Sequence, residues 1–381
     1  MNKGEYMKKI IYVDNAATTA LNEKAYNEMI PYLREDFGNP SGLYTFAREP
    51  RRAVNEARSI IANCIGAEKN EVYFTSGGTE SDNWAIKGTA FSSKHKGKHI
   101  ITTQIEHHAV LNSCKFLESQ EFQITYLPVD EEGLISTEDL QSAIRNDTVL
   151  ISIMLANNEI GTIENIKDLV EIAHNYSILF HTDAVQAVGH IGVNVKKLNI
   201  DLLSASAHKF NGPKGTGFLY ISNKCELTEL LSGGEQENGK RSGTENVAAI
   251  VGMAVALKDN IENLTERMNY VQKLKSYFLD KLSQTQLNYI VNGCKNALPG
   301  TISLSFKNVN GEALMHRLDL KGIEVSTGSA CDSHNTQLSH VIKAINVDKI
   351  YANGTIRISI SHTNDFKELD FIVESLTKII G

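Results

Sequence analysis

No run of eighteen apolar residues occurs anywhere in the 381-residue chain, so no membrane-spanning helix is expected. Before Asp14 the only apolar stretch is Ile10 to Val13, too short for the core of a signal peptide, and a cytoplasmic location is expected. There is no excess of basic charge. Thirty-eight Lys and Arg face forty-five Asp and Glu, a formal net charge of -7, which argues against nucleic acid as a direct partner. Cysteine is sparse. Cys64, Cys114, Cys225, Cys294 and Cys331 are odd in number and widely spaced, and none sits in a C-x-x-C pair. This excludes a zinc ribbon and a disulfide scaffold, no metal is expected, and free thiols suit a reducing compartment. Internal repeats and low-complexity tracts are absent. No G-x-G-x-x-G opens a βαβ unit and no G-K-[ST] completes a phosphate loop, which removes the two commonest nucleotide-binding signatures.

The chain is long for one hydrophobic core, so two subdomains are expected. From about residue 70 to 260, short β-rich runs (71–74, 99–102, 123–128, 148–155, 178–181, 201–205 and 217–221) alternate with helical patterns. Ile166, Leu169, Val170 and Ala173 fall at i, i+3, i+4, i+7, as do Val247, Ile250, Val251 and Ala254. Such alternation predicts an α/β fold with a mainly parallel sheet covered on both faces. After about residue 260 the texture changes. Val271, Leu274, Phe278 and Leu282 mark a long amphipathic helix, short strands follow at 300–306, 322–325 and 355–360, and Leu338, Val341, Ile342 and Ile345 share one helical face. This reads as a smaller α+β domain.

Four motifs carry chemistry. Ser76-Gly77-Gly78-Thr79-Glu80 lies between a strand and a helix, and is either a phosphate cradle at a helix N-terminus or a capped glycine turn. Thr182-Asp183-Ala184-Val185-Gln186 closes an apolar strand. Asp183 there either caps a helix or holds a proton on a pyridine nitrogen, with Gln186 in reach of a ring hydroxyl. Ser206-Ala207-His208-Lys209 delivers a lysine from a strand end into a Gly-Pro-Lys-Gly turn. A lysine beside other cations and partly desolvated has a depressed pKa and can form a Schiff base, while Ser206 and His208 can reach a phosphate. Finally, Cys331 stands in the small polar stretch 326–334, either a bystander or a reactive thiol. To these are added His107, able to stack on a flat heteroaromatic ring, Asn158 after another strand, and Arg357, a charge within a strand pattern that could clamp a carboxylate. A phosphate loop, a strand-end Asp, a lysine, a stacking His and a carboxylate-binding Arg together are the parts a pyridoxal-phosphate enzyme requires.

The combination resembles the cysteine desulfurases of the NifS/IscS type, in the class-V aminotransferase family of PLP fold type I. The resemblance runs from Tyr12-Val13-Asp14-Asn15-Ala16-Ala17 through Gly38-Asn39-Pro40-Ser41 and Arg241-Ser242-Gly243-Thr244 to Ile356-Arg357-Ile358-Ser359, with Ser206-Ala207-His208-Lys209 and Gly328-Ser329-Ala330-Cys331 its most specific parts. It implies a large PLP-binding domain (15–260) built on a mainly parallel seven-stranded sheet. A small α+β domain (1–14 and 261–381) would carry the catalytic cysteine loop. It implies pyridoxal 5'-phosphate bonded to Lys209, with Asp183 at the ring nitrogen, Gln186 at the ring hydroxyl, His107 stacked on the ring and Asn158 beside it. Gly78, Thr79, Ser206 and His208 would hold the phosphate, helped by Thr244 of the neighbouring subunit in a homodimer. Arg357 and Asn158 would bind L-cysteine, and Cys331 would be the nucleophile. Where relatives continue Asn-Pro-Ser-Ser with His and Gly, this chain has Gly42, Tyr44 and Ala47, and the stretch after Cys331 lacks the usual Glu-Pro pair.

The implied reaction removes sulfur from L-cysteine, leaving L-alanine and a persulfide on Cys331. Lys209 would take the α-proton, and His107 would help deprotonate one of the thiols. The sulfur would pass to an acceptor protein, an iron–sulfur scaffold or a tRNA-thiolation enzyme. Two readings compete: a selenocysteine lyase or cysteine-sulfinate enzyme on the same scaffold, and an inactive PLP-fold scaffold protein.

Overall fold

The computed structural model describes residues 10–328 and 338–381. Among them are twelve strands: β1 (Ile11–Tyr12), β2 (Val72–Thr75), β3 (His99–Thr103), β4 (Gln123–Leu127), β5 (Thr148–Ser152), β6 (Leu179–Asp183), β7 (Leu202–Ser206), β8 (Gly217–Ile221), β9 (Tyr289–Asn292), β10 (Thr301–Phe306), β11 (Ile323–Glu324) and β12 (Thr355–Ser359). Seven form the main sheet, in the order β2-β8-β7-β6-β5-β3-β4. β8 runs antiparallel to both β2 and β7, and the other pairings are parallel. Two reversals cancel, so the carboxyl ends of β2, β7, β6, β5, β3 and β4 all open on one edge. In an α/β sheet that edge is where a site is built.

The sheet is buried on both faces, as continuous apolar runs require. Successive residues feed opposite cores. Ile101, Ile151, Leu203 and Phe218 join one, while Ile100, Leu150, Leu202 and Leu219 join the other with Trp84 and Val110. The helix Ile166–Asn175 turns Ile166, Leu169, Val170 and Ala173 inward, the stripe its spacing predicted. The helix that the glycine pair opens runs Gly78–Ser93. Its small and apolar residues, from Gly78 to Ala90, are packed all round, so it lacks the one-sided pattern that marks an exposed helix.

A separate core gathers Leu274, Phe278, Ile302, Leu304, Ile356, Ile358, Leu369 and Ile372, and the N-terminal Ile11 and Val13 join it. There β12, β10 and β9 form an antiparallel sheet and β1 pairs parallel with β11. The register sets Arg357 opposite Ser303, and Arg357 N donates to Ser326 O. The chain leading out of β11 is thereby tied to β12. The short helix His340–Ala344 begins at Ser339, whose hydroxyl accepts from Val341 N.

Candidate active site

The strand ends on the open edge, together with β12 of the smaller sheet, deliver the predicted side chains to one cavity of about 360 Å³. Gly78, Thr79, His107, Asn158, Asp183, Gln186, Ser206, His208, Lys209 and Arg357 all line it. Thr244 does not. Within one chain it faces a separate small cavity with Ser76 and Gly215. Cys331 lies outside the described residues, but Gly328, three positions before it, is on the cavity wall.

The phosphate-loop motif is built by close approach. Gly77 has φ 147°, a conformation open to glycine, and a Cβ on Gly78 would come within 2.7 Å of Val185 Cγ2. Glu80 stabilises the turn, accepting from Ser76 N at 2.7 Å and held by Arg241 at 2.8 and 3.1 Å. A second cavity, of about 320 Å³, opens over this helix start, flanked by Thr18, Ser206, His208 and Lys214. A helix N-terminus with nearby hydroxyls and a lysine is an anion site. His208 Nδ1 meets Thr18 Oγ1 at 3.1 Å, and burial, then Lys209 and Lys214, push its pKa down to about 4. It is therefore neutral near pH 7 and serves as a hydrogen-bonding group.

Asp183 ends β6, is buried, and accepts from Val185 N at 2.9 Å. Burial pushes its pKa up to about 6, against the pull of the Val185 amide and Lys209. A buried carboxyl facing a cavity in this state gains further as an anion when a cation arrives. Behind it, His181 is sandwiched between Ser152 and Ser204, and burial drives its pKa down to about 3. Asp82 Oδ1 is buried, stands 3.6 Å from His181 Nε2 and has no hydrogen-bond partner among the described residues, and the pKa of Asp82 is raised by burial and then by Asp183. Gln186 Nε2 donates to Ala16 O at 3.0 Å. Lys209 follows β7 in a single turn of 3₁₀ helix, and its Nζ donates to the carbonyls of Ala16 and Ala17 at 2.6 and 2.8 Å.

His107 caps the helix His108–Glu118, its Nδ1 accepting from Ala109 N at 3.1 Å. Burial, then Lys209 and His108, push its pKa down to about 4. A ring nitrogen of His107 and carboxylate oxygens of Asp82 and Asp183 lie within 4.8 Å of one another, a spacing that would also admit a metal ion. Arg357 is buried. Its Nη2 donates to Asp14 Oδ1 at 2.7 Å and its Nη1 to Asn158 O at 3.0 Å, while Nε has no partner among the described residues.

Four groups that the motifs did not single out also belong here. The Ala16 and Ala17 carbonyls hold Lys209, and a main-chain role leaves no side-chain signature. Asp82 sits one turn into its helix, on the inward face. Glu159 accepts from Ser339 Oγ at 2.6 Å and crowds Gly328, where an added Cβ would lie 2.2 Å from Oε2. His340 packs over His108, ring centroids 4.8 Å apart, and its Nε2 meets Glu106 O at 2.9 Å.

These residues fit pyridoxal phosphate. The anion cradle, the buried carboxyl awaiting a cation and the lysine amine occupy one connected region, lined in common by Gly78, Thr79, Ser206 and His208. Comparison with known proteins points the same way. The family profile described as Aminotransferase class-V matches residues 11–372. Cysteine desulfurase IscS of Dictyoglomus turgidum is 52% identical over 98% of this chain and 95% of its own length. A solved NifS-like protein superposes with a TM-score of 0.92 at 38% identity, covering 97% of this chain and 99% of that one. A structure described as SspA in complex with cysteine gives a TM-score of 0.83 at 38% identity, over 92% and 99%.

Proposed function

This chain belongs to the class-V aminotransferase family, and from that premise we propose that it is a cysteine desulfurase dependent on pyridoxal 5'-phosphate. The observation that carries the reading is convergence. Lys209, Asp183 and the Gly78 helix start meet in one cavity, and its wall includes the residue three places before Cys331.

In this reading Gly78, Thr79, Ser206 and His208 hold the cofactor phosphate, with Thr244 of a second subunit. Asp183 would keep a proton on the ring nitrogen, Gln186 and Asn158 would address the ring substituents, and His107 would pack on the ring. When bound, the cofactor would supply an electron-accepting ring for the charge that develops on the substrate's α-carbon. The substrate carboxylate is clamped by Arg357, which is already oriented by Asp14 and the Asn158 carbonyl. Lys209 Nζ removes the α-proton, and the buried cavity wall excludes competing water. Cys331 Sγ, as thiolate, bonds to the substrate sulfur as the carbon–sulfur bond breaks. One cysteine and one enzyme thiol thus become one alanine and one persulfide, and the sulfur then passes to an acceptor protein of iron–sulfur assembly or tRNA thiolation.

A homodimer is supported by an unpartnered apolar surface. Among the described residues Leu33, Phe37, Leu43, Tyr44 and Phe46 are all exposed within one stretch of sequence, and Phe37 and Phe46 are in ring contact. Four free cysteines among the described residues, and no helix there long and apolar enough to cross a membrane, suit the cytoplasm. The test uses two variants. Cys331→Ser should keep the yellow cofactor and make no persulfide, and Lys209→Ala should lose turnover. Undiminished sulfur transfer by Cys331→Ser would rule out the nucleophile assignment.

A further inference from the structure

A histidine beside the reacting groups invites the role of base, and whether His107 can take it depends on which nitrogen holds a lone pair. Nδ1 is already committed. It accepts the backbone N–H of Ala109 at 3.1 Å, the capping bond that starts the helix His108–Glu118. An acceptor nitrogen carries no hydrogen, so the neutral ring has its hydrogen on Nε2. The only lone pair is then the one engaged by the cap. Adding a proton there would set Nδ1–H against Ala109 N–H, and the helix would lose its first capped amide. The groups around the ring do not compensate. Lys209 and His108 disfavour a positive ring, and Asp82, within 4.8 Å of a ring nitrogen, is held toward its neutral form by burial; Asp183 ionises above about 6, but its charge is already engaged by the Val185 amide and Lys209.

We propose that His107 is a hydrogen-bond donor locked in the Nε2–H tautomer, and that it does not accept the thiol proton. Its role is to present one fixed N–H to the cavity, where a sulfur anion or a ring substituent receives it, and the thiol proton leaves to another acceptor. This assignment rests on the desulfurase reading for its meaning in catalysis but not for its geometry. The fall of its pKa to about 4 agrees with it.

The test has two arms. In protein labelled with ¹⁵N-histidine, with and without cofactor, long-range proton–nitrogen correlation reports the tautomer, and the His107 signal is identified by its loss in His107→Ala. The expected result is an Nε2–H pattern that does not titrate above about pH 5 in either form. An Nδ1–H pattern, or a protonation midpoint near the ordinary histidine value of about 6.5, would overturn the proposal. This arm holds whatever reaction the protein performs. The second arm compares kcat/KM against pH for His107→Asn and His107→Ala. An amide accepts on one side and donates on the other but is no base. The Asn variant should therefore exceed the Ala variant by about tenfold, the worth of one hydrogen bond to a charged group, with the acidic limb where the unmodified enzyme has it. If Asn is as poor as Ala, about a hundredfold or more below the unmodified enzyme, and the acidic limb vanishes in both, His107 is the base and the inference fails.

Discussion

Asp183 is maintained at a cost to the cofactor-free protein, and removing its charge should reveal that cost. Its pKa rises from an ordinary 3.8 to about 6 because it is buried. A carboxyl whose folded pKa is raised loses stability as pH climbs. Below 3.8 both states are protonated and nothing is lost. Between 3.8 and about 6 the unfolded chain ionises while the folded one does not, and above that range the loss is complete. Two pKa units correspond to about 3 kcal/mol, of which about half is already present near pH 5. Asp183→Asn keeps an oxygen for the Val185 amide and cannot ionise. The apo form of this variant should therefore be more stable than apo wild type by up to about 3 kcal/mol near pH 8, and by about half as much near pH 5. Asp82, raised partly by Asp183, relaxes in the same direction. Urea midpoints at the two pH values, with and without pyridoxal phosphate, provide the assay. With cofactor the order should reverse, since a protonated ring nitrogen pairs with Asp183 but not with asparagine. An apo variant less stable than wild type near pH 8, or a gap that does not grow with pH, would refute the reasoning.

Other perturbations separate the parts of the site. Arg357→Lys keeps the charge but not the planar fork that reaches Asp14 and the Asn158 carbonyl, and KM for cysteine should rise about tenfold or more with the far-ultraviolet circular dichroism unchanged. Glu80→Gln removes the charge of the anchor shared by Ser76 N and Arg241. Because glutamine keeps an oxygen for Ser76 N and loses only the ionic part of the contact, the loss is about 1 kcal/mol, read as about a fivefold rise in cofactor Kd by fluorescence titration. His208, pushed down to about 4, stays neutral through the physiological range, so His208→Asn should leave the pH dependence of cofactor affinity between about pH 6 and 8 unmoved. A slope in the unmodified protein that disappears in that variant would show a charged His208.

How much of this was legible in the sequence follows from where each feature's cause lies. Strands such as His99–Thr103 and Gly217–Ile221 declare themselves by β-branched or aromatic-rich runs, and the glycine pair, Asp183 and Lys209 each stand at or just after a strand end. The mainly parallel sheet, and the residues that line the cavity at its strand ends, could therefore be read in advance. β9 was not, because Tyr289–Asn292 is a half-exposed edge strand with little alternation, recruited by β10. The helix pattern over Leu338 to Ile345 yields a helix only from His340 to Ala344, because Ser339 caps it. Asp82, Glu159 and His340 look like ordinary polar residues of helices and turns. Tertiary pairing alone brings Ser339 to Glu159 and the Asp82 carboxyl to Asp183. The sequence also shows that a histidine lies at 107, but only the capping bond shows which of its nitrogens is free to act.

The most direct test of the central claim is stoichiometric. Holoenzyme is mixed with less than one equivalent of L-cysteine, quenched, and assayed together for free alanine and, by peptide mass spectrometry, for sulfur added to Cys331. One alanine released for each Cys331 persulfide is the predicted result. Alanine or sulfide released with Cys331 unmodified would contradict it.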